Sequence, residues 1–286
     1  MSKKLLAFLT ALLVLAALAS YVYYRRTVAA VPVDPWALVP DDAALVVATH
    51  DHPTLVRHLQ ETQLWDNLTA VRSFQNLENT AALLDSLSGG RRAVARFLGR
   101  KHVLTSVHVT GPGQFDVLLQ VPVASVREYR QVRTLIEALA RDPRFRVATR
   151  DYEGALLTEI SAPGTGRGLT LLNHRNHLLL SANPALVEAV VRRLALDPQP
   201  PSVAADFQST DFFQLRDVDA TLLLNYRRLP QLLGVFFRAD VRPGIGQVSS
   251  LARNGQLQLK LAGNKVVLHG FANPETARGR DRKSVV

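Results

Sequence analysis

The first group of residues whose types suit chemistry is His50-Asp51-His52, with His58 close behind. Two imidazoles at i and i+2 can converge on a divalent cation where a strand ends. No third ligand is indicated, and a matching stretch downstream carries Arg227 and Leu229 at the equivalent places, so a polar loop is the expectation. His174 and His177 flank Arg175-Asn176, a two-residue turn between strand patterns, which reads as a cross-strand surface pair. Gly164-Thr165-Gly166-Arg167-Gly168 has the glycine density of a phosphate-cradling loop. Such a loop aims its amides through a helix N-terminus, whereas a strand pattern follows here, so a hairpin loop is expected. Asp151, Glu153 and Glu159 form an acidic group near a hairpin; they suit acid–base work but read as solvated turn positions. No nucleophile elbow, Walker lysine or zinc-protease motif is present. The absence of cysteine excludes disulfides, thiolate metal sites, a cysteine nucleophile and a lipid-modified cysteine. The sequence therefore assigns no catalytic, cofactor-binding or metal-binding residue and no cofactor.

The element that positions the rest is the uncharged run Leu5 to Tyr24, about twenty residues and long enough to span a bilayer as a helix. Lys3 and Lys4 precede it; Tyr21, Tyr23 and Tyr24 followed by Arg25 and Arg26 close it as an aromatic edge with a charged stop. Residues 1–26 are expected to be a membrane anchor, with the folded body extracytoplasmic (periplasmic) and the anchor in the inner membrane. Ala17-Leu18-Ala19 before Ser20 resembles a cleavage site, so a removable leader is the rival reading. Residues 27–40, with Pro32, Pro35 and Pro40, read as a stiff tether. Of the formal charge of +10, the leader holds four cations and no acid, and residues 275–286 hold four cations against two acids, which leaves +4 for the body. That is a solvated surface, and no nucleic acid is expected as a partner.

Beyond the tether, Asp42 to His50 reads as a buried strand, followed by helical spacing at Leu55, Val56 and Leu59. Val103, Thr105, Val107 and Val109 alternate, as do Phe115, Val117, Leu119 and Val121, with Gly111-Pro112-Gly113 turning between them. This predicts a hairpin with one buried face. A helix bearing Tyr129, Val132, Ile136 and Leu139 comes next, then four strands, then a helix capped by Asn183-Pro184 with Val187, Val190, Val191 and Leu194 inward. Asp219-Ala220-Thr221-Leu222-Leu223-Leu224 with Pro230 and Leu232 repeats Asp42-Ala43-Ala44-Leu45-Val46-Val47 with Pro53 and Leu55 at a constant offset of 177 residues. This predicts an internal duplication. The expected fold is α+β: a mostly antiparallel sheet with helices on one face, behind a single N-terminal transmembrane helix. Its first module is at 41–205, a truncated second copy at 206–274 and a disordered or artefactual tail at 275–286. The last six residues, Asp281 to Val286, resemble translated sequencing adapter, and the native chain is expected to run on past Pro274.

Anchor, tether and the opening Val39-Pro40-Asp41-Asp42-Ala43-Ala44-Leu45-Val46-Val47, with a later His108-Val109-Thr110-Gly111, resemble a family of uncharacterised bacterial envelope proteins known only as a domain of unknown function. That resemblance implies an anchored extracytoplasmic protein and supplies no catalytic residue. The functional expectation is a non-enzymatic module that binds or scaffolds an envelope protein, polymer or lipid. The alternatives are a carrier of a lipid-like apolar ligand, which requires an apolar pocket, and an envelope hydrolase, which requires converging carboxylates or a serine–histidine pair.

Overall fold

Alternating apolar residues become strands because a pleat sends neighbours to opposite faces. The computed structural model describes residues 33–71, 74–75, 78–79, 82, 96–123, 125–164, 167–196, 217–237 and 242–273. Its strands are β1 (Leu45–Thr49), β2 (Val103–Gly111), β3 (Gln114–Pro122), β4 (Arg146–Tyr152), β5 (Ala155–Ala162), β6 (Arg167–His174), β7 (His177–Ser181), β8 (Ala220–Asn225), β9 (Asn254–Ala262) and β10 (Lys265–Asn273). They form one ten-stranded antiparallel sheet in the order β10-β9-β8-β1-β2-β3-β7-β6-β5-β4. The helices are α1 (His52–Gln60), α2 (Gln63–Thr69), α3 (Val126–Arg141), α4 (Pro184–Ala195), α5 (Leu229–Phe236) and the short α6 (Arg242–Gly246), so the fold is α+β. Three helix starts are set locally: Asp51, Ser125 and Asn183 each accept a first-turn amide, from Thr54 at 3.1 Å, Glu128 at 3.2 Å and Ala185 at 3.1 Å.

The expectation of helices on one face is corrected, because the sheet is apolar on both. One face carries Val47, Leu222, Val103, Val121 and Leu180, covered by α1, α3 and the Leu232 side of α5. The other carries Val46, Leu118, Leu157 and Leu179, covered by α4 and by the chain leading into β1. In β2 the residues between the predicted inward positions, Leu104, Ser106 and His108, are themselves buried, so the hairpin has no solvent face.

The expectation of a full module beside a separate, truncated one is likewise corrected. β8 pairs directly with β1, and Val46 stands opposite Leu223, the residue that the 177-residue offset equates with it. Outward from that pair runs a hairpin on each side, β2–β3 and β9–β10. The helices cross over: Leu55 and Leu59 of α1 pack with Ala220 and Leu261, while Leu232 of α5 packs with Ala44 and Phe115. Neither half closes its own core, so the two stretches fold as one body.

Among the described residues no helix is long and apolar enough to cross a membrane. Leu5 to Tyr24 lies outside the described residues, as does the tail 275–286. The described end of the proline-rich stretch is folded rather than extended. Asp34 accepts the Trp36 amide at 3.0 Å to start a 3₁₀ turn at Pro35–Leu38, and Leu38 and Val39 are fully buried. Arg193 pins this cover to α4. Its side chain is 6% exposed, Nε donates to the Ala37 carbonyl at 2.8 Å, and Nη1 donates to the Asp41 carboxylate.

Because a charge-assisted hydrogen bond contributes about 1.5–3 kcal/mol, Arg193→Ala should lower the unfolding free energy by about 2–3 kcal/mol. Urea denaturation of the full chain measures this, and Arg192→Ala on the same helix, half exposed, should change it by less than about 1 kcal/mol.

Candidate functional site

The two covered faces are filled to different degrees. On one, α4 buries Leu186, Val187, Val190 and Val191 against the sheet. On the other, α3 offers Val132, Leu135, Ile136 and Leu139 at i, i+3, i+4 and i+7, yet only Leu139 is fully buried. The space left beneath the helix is a partly open cavity of about 650 Å³. Its floor is built from Leu119 and Val121 of β3, Leu178 and Leu180 of β7, and Leu169 and Leu171 of β6. Phe97 and Leu98, in a helical turn at 96–98, form a side wall.

Polar groups are confined to the mouth: Arg96, Arg100, Lys101, Glu128 and Gln131. Lys101 is braced, with Nζ 2.7 Å from the Glu128 carboxylate, donating to the Pro122 carbonyl at 2.9 Å, and 4.7 Å above the Phe97 ring. Gly99 permits this approach. At φ +44° it ends the 96–98 turn in the left-handed region, and a side chain there would crowd the Arg96 carbonyl at 3.3 Å. Arg96 and Arg100 are exposed and make no ion pair among the described residues. The sequence reading passed over this basic run; its signal was Arg96-Phe97-Leu98-Gly99-Arg100-Lys101, an aromatic and aliphatic pair between cations just ahead of a strand.

A second arrangement has the connectivity of a hydrolase relay. Asp42 accepts from Nδ1 of His108 at 2.9 Å, and Nε2 of His108 faces the Ser106 hydroxyl at 2.9 Å. The carboxylate only accepts, so Nδ1 carries the proton; the Ser106 hydroxyl also lies 3.5 Å from the Leu118 carbonyl. Two requirements of acyl transfer are missing. Ser106 and His108 have no exposed surface, and β2 is paired on both sides, by β1 and by β3, so its amides are committed to the sheet and unavailable to an oxyanion. The relay is a strut that satisfies polar groups in a covered face. The bond from His108 holds the Asp42 carboxyl below the usual carboxylate range, outweighing the opposing effect of burial.

The residues singled out in the sequence are dispersed. His50 stacks on His102, with ring centroids 4.5 Å apart, while Asp51 caps α1. Burial keeps His52 below the usual histidine range, and His58 Nδ1 lies 2.6 Å from the Asp219 carboxylate. Burial and then the neighbouring His50 push His102 down; burial, His174 and His102 do the same to His177. His174 and His177 are opposite one another across the β6–β7 turn, but His177 is buried, so they are not the expected surface pair. Among the described residues no group of three or more His, Cys, Asp or Glu is placed to hold a metal ion. Glu159 pairs with Arg150 at 2.9 Å, Asp151 accepts the Gly154 amide at 3.2 Å, and Glu153 sits in the same turn, so the acids do not converge on a cleft. Gly164 and Gly168 flank the β5–β6 turn, whose Thr165 and Gly166 lie outside the described residues. No family model matches the chain, and neither does any curated protein or solved structure.

Removing the Ser106 hydroxyl leaves a buried imidazole nitrogen without a partner, so Ser106→Ala should cost about 1–3 kcal/mol of stability. Asp42 has its pKa depressed in the folded state, so its contribution is present above the unfolded value and is lost as pH falls through the folded one. Unfolding followed against pH should show stability declining below about pH 4, and Asp42→Asn should flatten that decline.

Proposed function

We propose that the chain is a non-enzymatic binding protein or carrier for a lipid-like apolar ligand. It belongs with the bacterial envelope proteins it resembles, associates with the inner membrane through Leu5 to Tyr24 and holds its folded body on the periplasmic side. The observation that carries the reading is the cavity of about 650 Å³ beneath α3, apolar within and polar only at its mouth. Its size falls in the range of about 300–1,000 Å³ that buries most of a small ligand's surface. The cavity is partly open, so its apolar lining faces water unless something covers it, and burying that lining favours an apolar occupant. Water is a poor filler, because an ordered water needs about two to four polar partners and the floor offers none. A hydrolytic role has less support, since the serine–histidine pair is sealed inside the sheet.

The test uses the full chain, delipidated and held in amphipol, titrated with a polarity-sensitive apolar fluorophore. It should bind one probe per chain, with blue-shifted emission. Leu135→Trp, which fills the space from the roof, should weaken binding at least tenfold while leaving the circular dichroism spectrum unchanged. A probe that binds wild type and Leu135→Trp equally, or neither, would sink the cavity as the site.

A further inference from the structure

Given that the cavity is the ligand site, a reading on which this inference rests, we infer that its occupant is a single-tailed amphiphile with an acidic head, of the long-chain carboxylate class. The head would lie at Arg96 and Arg100 and the tail over the floor of β3, β7 and β6. Five residues with polar side chains ring the mouth, and only one of them, Glu128, is acidic. Its charge is matched by Lys101 at 2.7 Å, in a contact that the Ser125 cap orients by fixing the first turn of α3. Arg96 and Arg100 then remain as two exposed guanidiniums beside an apolar opening, with no carboxylate answering either among the described residues. They lie four residues apart, on either side of the apolar Phe97 and Leu98 that wall the cavity.

A guanidinium presents a planar fork that matches a carboxylate in two parallel hydrogen bonds. A neutral head would leave both cations facing nothing but water, and a cationic head would be repelled. The tail follows from the lining: six leucine and valine side chains on the floor offer no hydrogen-bond partner, so whatever penetrates must be hydrocarbon. The Lys101–Glu128 pair also narrows the mouth, since Lys101 is tied both to Pro122 of β3 and to Glu128 of α3. A fixed bridge between floor and roof favours one chain over two.

Displacement of the bound fluorophore by palmitate and by hexadecanol separates the two ideas, because the ligands share a tail and differ in head. In the full chain in amphipol, palmitate should displace the probe at a concentration about tenfold lower than hexadecanol. The double variant Arg96→Gln, Arg100→Gln should lose that advantage while binding hexadecanol and the fluorophore as wild type does; Arg127→Gln, Arg130→Gln, an exposed pair on α3 outside the cavity lining, should change nothing. Equal displacement by acid and alcohol, or a double variant that weakens both alike, refutes the acidic-head assignment and leaves the cavity reading intact. If the fluorophore itself does not bind, the cavity reading falls first.

Discussion

A sheet that is apolar on both faces has to be covered twice, and every other feature of this chain follows from how the two covers differ. One is closed: α4 and the 33–39 segment bury leucine and valine side chains against the sheet, locked by Arg193. The other is held open, because α3 meets the sheet fully only at Leu139 and leaves the rest of its stripe over a void. Protein interiors are ordinarily packed like molecular crystals. A helix supported above a sheet is therefore a departure that calls for either a filler or a compensating scaffold. Here the scaffold is visible in the braced Lys101–Glu128 pair, and the proposed filler is a ligand.

Polar groups inside the covered faces act as ties between segments distant in sequence. Asp42 reaches His108 across 66 residues, and Asp219 reaches His58 across 161. Asp219 also accepts the Leu261 amide at 2.7 Å, and its own carbonyl accepts from Thr49 at 2.8 Å. The two aspartates sit at the head of β1 and of β8, the strands joined at Val46 and Leu223. Asp219 buries its carboxylate where partners donate to it, the condition for tolerating such a group in a core, whereas the half-exposed Asp42 reaches in from the edge to the buried His108. Their position explains why the body closes as one unit: the central pair is fastened from both ends.

What was legible in the sequence was local. The strand alternation, the Asn183-Pro184 cap and the Arg175-Asn176 turn depend on neighbours within a few residues, and the structure places them as the spacing demands. What was not legible depends on partners far away. Ser106 and His108 look like a solvent face when read along β2; they are interior because Asp42 arrives from elsewhere to satisfy them. The same blindness made β8 to β10 look like a separate module, since pairing of β8 with β1 leaves no trace in either strand alone. Tyr129 was grouped with Val132, Ile136 and Leu139 on one side of α3 and is 40% exposed, while Leu135, which lines the cavity, was overlooked. A cavity is a property of how far a helix stands from a sheet, and periodicity does not record distance.

The account stands on the cavity being occupied. Native mass spectrometry of the full chain, released gently from the membranes that produced it, reads this directly. The expected spectrum contains a one-to-one complex with a small acidic amphiphile, released on collisional activation as an anion and absent from the Leu135→Trp chain. A wild-type chain that carries no small molecule, or one whose adducts persist unchanged in the filled variant, would contradict it.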